Sequence, residues 1–158
     1  MPPSPQPALD VALRLLALRP RTQAELRRRL AQRGFRPQDI EATIVRLSEL
    51  GLVDDAAFAR FWVEQRAAFR PSGRRRLIAE LRAKGVAHEA IDEALQEQDD
   101  SASIEAVARR RAATLVNVRE ATFSRRLQAF LLRRGFDASL ARTVVGRLLR
   151  ERGRRDLM

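Results

Sequence analysis

One frame recurs three times along this chain, and that repetition limits the possible folds more than any other feature. The copies are Leu26-xxx-Leu30-xxx-Gly34 followed by Ile40 and Ile44, Leu77-xxx-Leu81-xxx-Gly85 followed by Ile91 and Leu95, and Leu127-xxx-Leu131-xxx-Gly135 followed by Ala141 and Val145. Counted from each glycine, positions −8, −4, +6 and +10 are apolar in every copy, and the glycines lie 51 and 50 residues apart. Leucines four apart share one face of an α-helix. A glycine four residues later stops that helix, because it accepts the left-handed backbone at low cost. The cation before each glycine, Arg33, Lys84 or Arg134, complements the helix dipole. The next apolar pair opens another helix, so each frame reads helix, glycine turn, helix.

A further helix precedes each frame. The first runs over about 8–18, with Leu9, Leu13 and Leu16 on one side and Pro20 beyond its end; Thr22-Gln23-Ala24-Glu25 then forms a capping-box pattern. The second runs over about 55–69, capped by Asp54 or Asp55, with Phe58, Trp62 and Phe69 on one stripe and Pro71-Ser72-Gly73 as the break. The third runs over about 103–117, with Ile104, Val107 and Leu115 apolar and Ser101 or Ser103 as the cap. No Val/Ile-rich alternation with hairpin turns competes with this pattern. The expected fold is all-α: nine helices in three tandem three-helix repeats at 8–53, 54–100 and 101–151. Residues 1–7 are expected as a disordered tail and 152–158 as a frayed one. A unit of this size is marginal alone, so neighbours should stack into an elongated, curved body.

Composition excludes several function classes. The chain of 158 residues is 45% hydrophobic, which suits a folded protein. Without Cys there is no disulfide, thiolate nucleophile or Cys-based metal site, and the single His88 cannot supply a His-rich one. The apolar runs are broken by Arg, so no membrane span is expected. The opening MPPSPQP lacks the basic start and apolar core of a signal peptide, and a cytoplasmic location is expected. No Ser–His–Asp pattern has a structural context, and the seven glycines make no phosphate loop. Asp54-Asp55 and Asp99-Asp100 read as helix caps or linkers instead of metal pairs. The expectation is therefore a non-enzyme with no catalytic residues, metal, cofactor or small-molecule substrate.

The charge points towards a partner. Net charge is +11, and of the 31 basic residues only Lys84 is lysine. Genomic GC bias accounts for part of the arginine, but its chemistry remains: planar, bidentate contacts to phosphate or carboxylate. Residues 8–53 carry +4, 54–100 carry −2 and 101–158 carry +9. A basic surface of this kind suits a nucleic acid or an acidic protein. A solvated face accounts for most single arginines. Arg74, Arg75 and Arg76 fit that account less well, because they open the middle helix of the second unit, where cations oppose the dipole; Arg125 and Arg126 hold the matching place in the third. The first unit has Ala24 and Glu25 there. Arg109 and Arg110, with Arg111, are further candidates, and Arg28 points most directly away from the Leu26/Leu30 face. Of the aromatics that could stack on bases, Phe58, Trp62, Phe35 and Phe136 are expected in the core, while Phe61 sits one residue off the Phe58/Trp62 stripe.

The residues also carry a resemblance. The run Leu52-Val53-Asp54-Asp55-Ala56-Ala57-Phe58-Ala59, then Arg66, Gly73, Ile78, Glu80-Leu81, Lys84-Gly85-Val86 and Ile91, resembles the signature of the bacterial RecX regulatory family. Ala12-Leu13-Arg14-Leu15-Leu16 with Arg19, Glu25-Leu26, Leu30 and Gly34 is similar to its opening, and Arg133-Arg134-Gly135-Phe136 to its carboxy-terminal repeat. The match spans about 8–151; Ala141 departs from it, standing where the other copies have a larger apolar residue. The resemblance implies three tandem three-helix repeats and a cytoplasmic protein that binds RecA, the recombinase that coats single-stranded DNA. It implies modulation of RecA, mainly inhibition of filament growth, strand exchange and coprotease action, and hence control of DNA repair and the SOS response. It also implies DNA binding, single-stranded and, less directly, duplex. A monomer lying along the groove of the RecA–DNA filament, with Arg28, Arg74, Arg75, Arg76, Arg109, Arg110, Arg125 and Arg126 as candidate contacts, is the mechanism expected. The alternative is a stand-alone helical protein acting on duplex DNA, since three-helix units with a turn glycine also resemble helix-turn-helix modules. A pure scaffold is a third reading.

Overall fold

The twelve apolar positions of the triplicated frame are all buried: none exceeds 5% exposure, and Leu26, Leu30, Leu81, Ile91, Leu95, Leu127, Leu131 and Ala141 are fully enclosed. The computed structural model describes residues 6–156 and 158. Among them are nine helices and no strand: α1 (Gln6–Leu18), α2 (Gln23–Gln32), α3 (Pro37–Glu49), α4 (Asp55–Phe69), α5 (Arg74–Ala83), α6 (His88–Ala94), α7 (Asp100–Ala112), α8 (Glu120–Arg133) and α9 (Ala138–Asp156). They form three successive three-helix trios, all-α as the frame requires.

The turn glycines work as their spacing implies. Gly34, Gly85 and Gly135 have φ of 84°, 78° and 89°. Each closes the same pair of bonds over the helix end. Phe35, Val86 and Phe136 donate their backbone N–H to Leu30, Leu81 and Leu131, while each glycine N–H reaches the carbonyl three residues back.

By compactness the chain divides in two: Met1–Trp62 with Glu80–Gln96, and Val63–Ala79 with Glu97–Met158. The repeat frame follows sequence period and these units follow packing. The middle trio is therefore shared, α4 and α5 each belonging to one unit at one end and the other unit at the other. In the first unit α1 packs on α2 and α3, burying Ala8, Ala12, Leu15, Ile44 and Leu47. In the second, α7, α8 and α9 pack mutually around Ile104, Phe123, Phe136, Val144 and Leu148.

Caps set most helix starts. Thr22 Oγ1 accepts from Glu25 N at 3.1 Å, but the reciprocal half of the expected box is absent, because the Glu25 carboxylate turns to Lys84 and Arg19. Asp54 caps α4 through Ala57 N at 3.0 Å, and Asp55 instead accepts from Gln23 N at the start of α2.

Several expected boundaries move. The third upstream helix begins at Asp100, not 103, and ends at Ala112, not 117. Its cap is Asp99, which accepts from Ser101 N at 2.8 Å; a carboxylate complements the dipole better than the serine hydroxyls. Leu115 is still buried, from the turn that follows. Phe69 shares the stripe of Phe58 but stands in the last turn of α4, beyond the packed surface, and is 80% exposed. Gln6 and Pro7 belong to α1; the remainder of the expected N-terminal tail lies outside the described residues. The expected fraying from 152 gives way to helix through Asp156, anchored where the Arg152 guanidinium donates to the carbonyls of Leu115, Val116 and Val118.

Candidate nucleic-acid interface

Arginines gather in the second unit, on α7 and α8 and around the turn at Gly135. An open cavity of about 400 Å³ is lined by Arg111, Arg125, Arg126, Ala129 and Arg133, with no acidic wall. Arg125 and Arg126 are exposed along α8. A second cavity of about 210 Å³ shares Arg111 and is lined also by Pro71, Arg110, Thr114, Phe130 and Arg134. The guanidinium carbons of Arg111 and Arg134 lie 5.2 and 5.3 Å from the centre of the Phe130 ring. Burial pushes the Arg134 guanidinium below its ordinary value, and so do the charges of Arg70, Arg76, Arg110 and Arg66. Such a surface can hold a chain of anions by charge and by bidentate hydrogen bonds.

The candidate arginines do not form one group. Arg110, Arg125 and Arg126 belong to these two cavities. Arg76 is beside them, its Nη1 donating to the Arg133 carbonyl at 3.3 Å. Arg75 is 70% exposed and pairs with Asp137 at 3.3 Å. Arg109 pairs with Glu105 at 2.7 Å and Glu151 at 2.8 Å; the Glu151 hydrogen bond raises its guanidinium above the ordinary value. Glu105 also pairs with Arg147, so Arg109 belongs to a local network in which its charge is balanced. Arg28 is exposed on α2, in the first unit.

The helix starts at these arginines differ from what their spacing implies. Arg74, Arg75 and Arg76 do open α5, but Asp100 meets one orphan amide there, its carboxylate accepting from Arg74 N at 3.0 and 3.2 Å, and the Gly135 carbonyl accepts from Arg75 N. An internal acid thus offsets what was assigned to an external anion. Arg125 and Arg126 do not lie in a first turn, because α8 begins at Glu120. Their claim rests on the cavity they line.

Two residues at the centre, Arg133 and Arg134, lie outside the candidates that the sequence offers, because the helix dipole alone explains a cation at Arg134. A signal was present. The third copy carries two cations before its glycine, where the first has Gln32-Arg33 and the second Ala83-Lys84.

Among the described residues no group of three or more His, Cys, Asp or Glu could hold a metal ion. Likewise no helix among them is long and apolar enough to cross a membrane.

Comparison with known proteins places this arrangement. A model described as "RecX, first three-helix domain" matches residues 8–47, and "RecX, second three-helix domain" matches 54–95. The chain belongs to the RecX family. It is 41% identical to Regulatory protein RecX of Amycolatopsis mediterranei over 97% of this chain and 93% of that protein. It is also 41% identical to Regulatory protein RecX of Pelodictyon phaeoclathratiforme, over 82% of this chain and 81% of that one. The fold is similar to that of a crystal structure of RecX from Lactobacillus salivarius, with a TM-score of 0.80 at 20% identity over 91% of this chain and 96% of that one. A further crystal structure of regulatory protein RecX gives 0.79 at 22% identity, over 89% and 70%. Both resemblances bear on RecX architecture, the tandem helical trios described above.

Proposed function

We propose that this RecX chain binds RecA and its filament on DNA and modulates it, mainly by inhibition of recombinase and coprotease activity, so that it controls DNA repair and the SOS response in the cytoplasm. The observation that carries this reading is the four-arginine cavity of Arg111, Arg125, Arg126 and Arg133 in a member of a regulatory family. The arginines supply charge-assisted contacts to DNA phosphates or to acidic RecA surface. A RecA filament offers the same surface many times, so contacts of modest strength at several places add through effective concentration. Regulation of this kind works by occupancy: what lies in the groove excludes incoming duplex, client protein and the next RecA subunit. No bond is made or broken by this chain, and the unit of function is a single protomer.

The test is co-sedimentation with RecA filaments on single-stranded DNA, together with RecA ATP turnover. Wild type should pellet with the filament and slow turnover; Arg125→Glu with Arg126→Glu should lose both effects while helicity is kept. Inhibition that survives those two reversals would remove the cavity from the reading. Site-specific binding to free duplex with indifference to RecA would replace the reading with that of a stand-alone DNA-binding protein.

A further inference from the structure

Two joints link successive trios, and both use one backbone frame. In the first unit the Lys84 carbonyl accepts Thr22 Oγ1 at 2.7 Å, and a Cβ on Gly85 would meet Ala24 Cβ at 2.3 Å. In the second the Arg134 carbonyl accepts Gly73 N at 2.8 Å, the Gly135 carbonyl accepts Arg75 N at 3.3 Å, and a Cβ on Gly135 would meet Arg76 Cβ at 2.4 Å. Each time the residue before a turn glycine is pressed against the start of the middle helix of the preceding trio.

Their electrostatics are opposite. Nine residues before Gly34 stands Glu25, and it reaches across the first joint to Lys84 Nζ at 3.0 Å. Lys84 also lies 4.5 Å from the centre of the Trp62 ring, so that cation is fully provided for. Nine residues before Gly85 the frame places Arg76; across the second joint its backbone and Cβ lie against Gly135, its guanidinium donates to the Arg133 carbonyl, and its charge acts on Arg134. The acid of the first joint is a cation in the second. Arg134 Nη1 and Arg111 Nε, beside the same Phe130 ring, are buried with no acceptor among the described residues. Buried donors without acceptors are costly, and these two border the cavity of about 210 Å³.

We propose that the second joint is an anion subsite, formed by Arg134 and Arg111 beside Phe130, that takes a backbone phosphate of single-stranded nucleic acid. The phosphate oxygens accept from the two unpaired nitrogens, Arg134 Nη1 and Arg111 Nε, and stand in for the carboxylate that Glu25 supplies in the first joint. A nucleic-acid strand suits the surface better than an acidic peptide. The cavity shares Arg111 with the open four-arginine cavity, and a strand presents one anion at each nucleotide along a continuous backbone, so neighbouring phosphates reach both. The subsite deepens the filament reading above and rests on it for its biological setting.

The experiment is fluorescence anisotropy of fluorescein-labelled oligothymidylate across a NaCl series, with circular dichroism as the fold control. Arg134→Gln should weaken binding about tenfold at fixed salt and make the log–log salt slope shallower by about 0.7, the value for one phosphate on a single strand. Arg76→Glu, which copies the first joint, should do the same by placing a carboxylate where the phosphate goes. If Arg134→Gln loses helicity, Arg111→Gln gives the reading alone. Unchanged affinity and slope in the folded variants would overturn the subsite. Polyglutamate displacing the oligothymidylate at equal charge, with that displacement lost in Arg134→Gln, would overturn its assignment to nucleic acid. RecA co-sedimentation is read separately: wild type that binds oligothymidylate as expected but fails to pellet with RecA filaments overturns the filament reading and leaves the subsite standing.

Discussion

Three alanine substitutions separate backbone strain from steric closeness at the second joint. Gly34 has φ of 84° and nothing within 4 Å of an added Cβ. Gly34→Ala therefore carries only the left-handed penalty, about 1–2 kcal/mol. Gly73 lacks a left-handed φ, but its Cβ would stand 2.4 Å from the Gly135 carbonyl carbon and oxygen and 2.5 Å from Phe136 N. All three are backbone atoms and cannot swing aside. Gly73→Ala is thus pure overpacking, about 1–3 kcal/mol and at the upper end because backbone must move. It also disturbs the bond from Gly73 N to the Arg134 carbonyl. Gly135 combines both conditions, with φ of 89° and a Cβ 2.5 Å from Arg76 N. Gly135→Ala should cost about the sum, roughly 2–5 kcal/mol. Urea denaturation followed by helical circular dichroism reads all three as midpoint shifts at constant slope. The expected order is Gly135→Ala well below Gly34→Ala, with Gly73→Ala clearly destabilised. Equal midpoints for Gly34→Ala and Gly135→Ala, with Gly73→Ala at wild-type stability, would refute the closeness of this joint.

Two further outcomes follow from named contacts. Burial alone would raise the Glu25 carboxyl, but the hydrogen bond and charge of Lys84, helped by Arg19, outweigh it and hold the carboxyl below its ordinary value. That contribution is present above the unfolded value near 4.5 and is lost as pH falls through the lower folded value, so Glu25→Gln should flatten the acid limb of stability and cost about 1–3 kcal/mol at pH 7, read by urea midpoints across pH. Arg152→Met keeps bulk against Phe123 but drops the bonds to Leu115, Val116 and Val118; thermal melts should show a loss of about 1–3 kcal/mol, which Arg152→Lys does not restore because an ammonium lacks the planar fork.

Periodicity and turn chemistry made most of the fold legible. The −8, −4, +6 and +10 positions are a statement about faces, and a face that recurs three times at one spacing must be buried three times. Thr22, Asp54 and the turn glycines were readable because caps are local: the residue that bonds lies within three or four positions of its partner. What stayed hidden is non-local. Asp99-Asp100 reads locally as a cap or linker, but that Asp99 caps its own helix while Asp100 caps another depends on Arg74 N, 26 positions from Asp100. Phe69 kept the right phase but ran out of surface to cover. Arg125 and Arg126 were misplaced in their helix because α8 starts at Glu120, three residues before the buried Phe123, and no strong cap marks that start. At the site, Lys84 and Arg134 occupy the same place in the frame, and the local rule, a cation at a helix end, explains both equally. Only the residue across the joint, Glu25 or Arg76, tells them apart.

That difference has a thermodynamic consequence. A joint closed by its own carboxylate owes its stability to groups tethered in the chain, so it responds to pH through Glu25 and barely to the anions around it. A joint closed by an external phosphate gains stability by mass action, as RT ln(1 + [L]/Kd) for a ligand that binds only the folded form. Anion binding at Arg134 and Arg111 and the firmness of the second joint are then one equilibrium seen from two sides. Oligothymidylate should raise the urea midpoint of the wild type more than that of Arg76→Glu, because in that variant the joint already holds its acid and binds the strand about tenfold more weakly. A rise of equal size in both would mean that the strand binds elsewhere on the basic surface and that the unpaired donors of Arg134 and Arg111 do not take a phosphate.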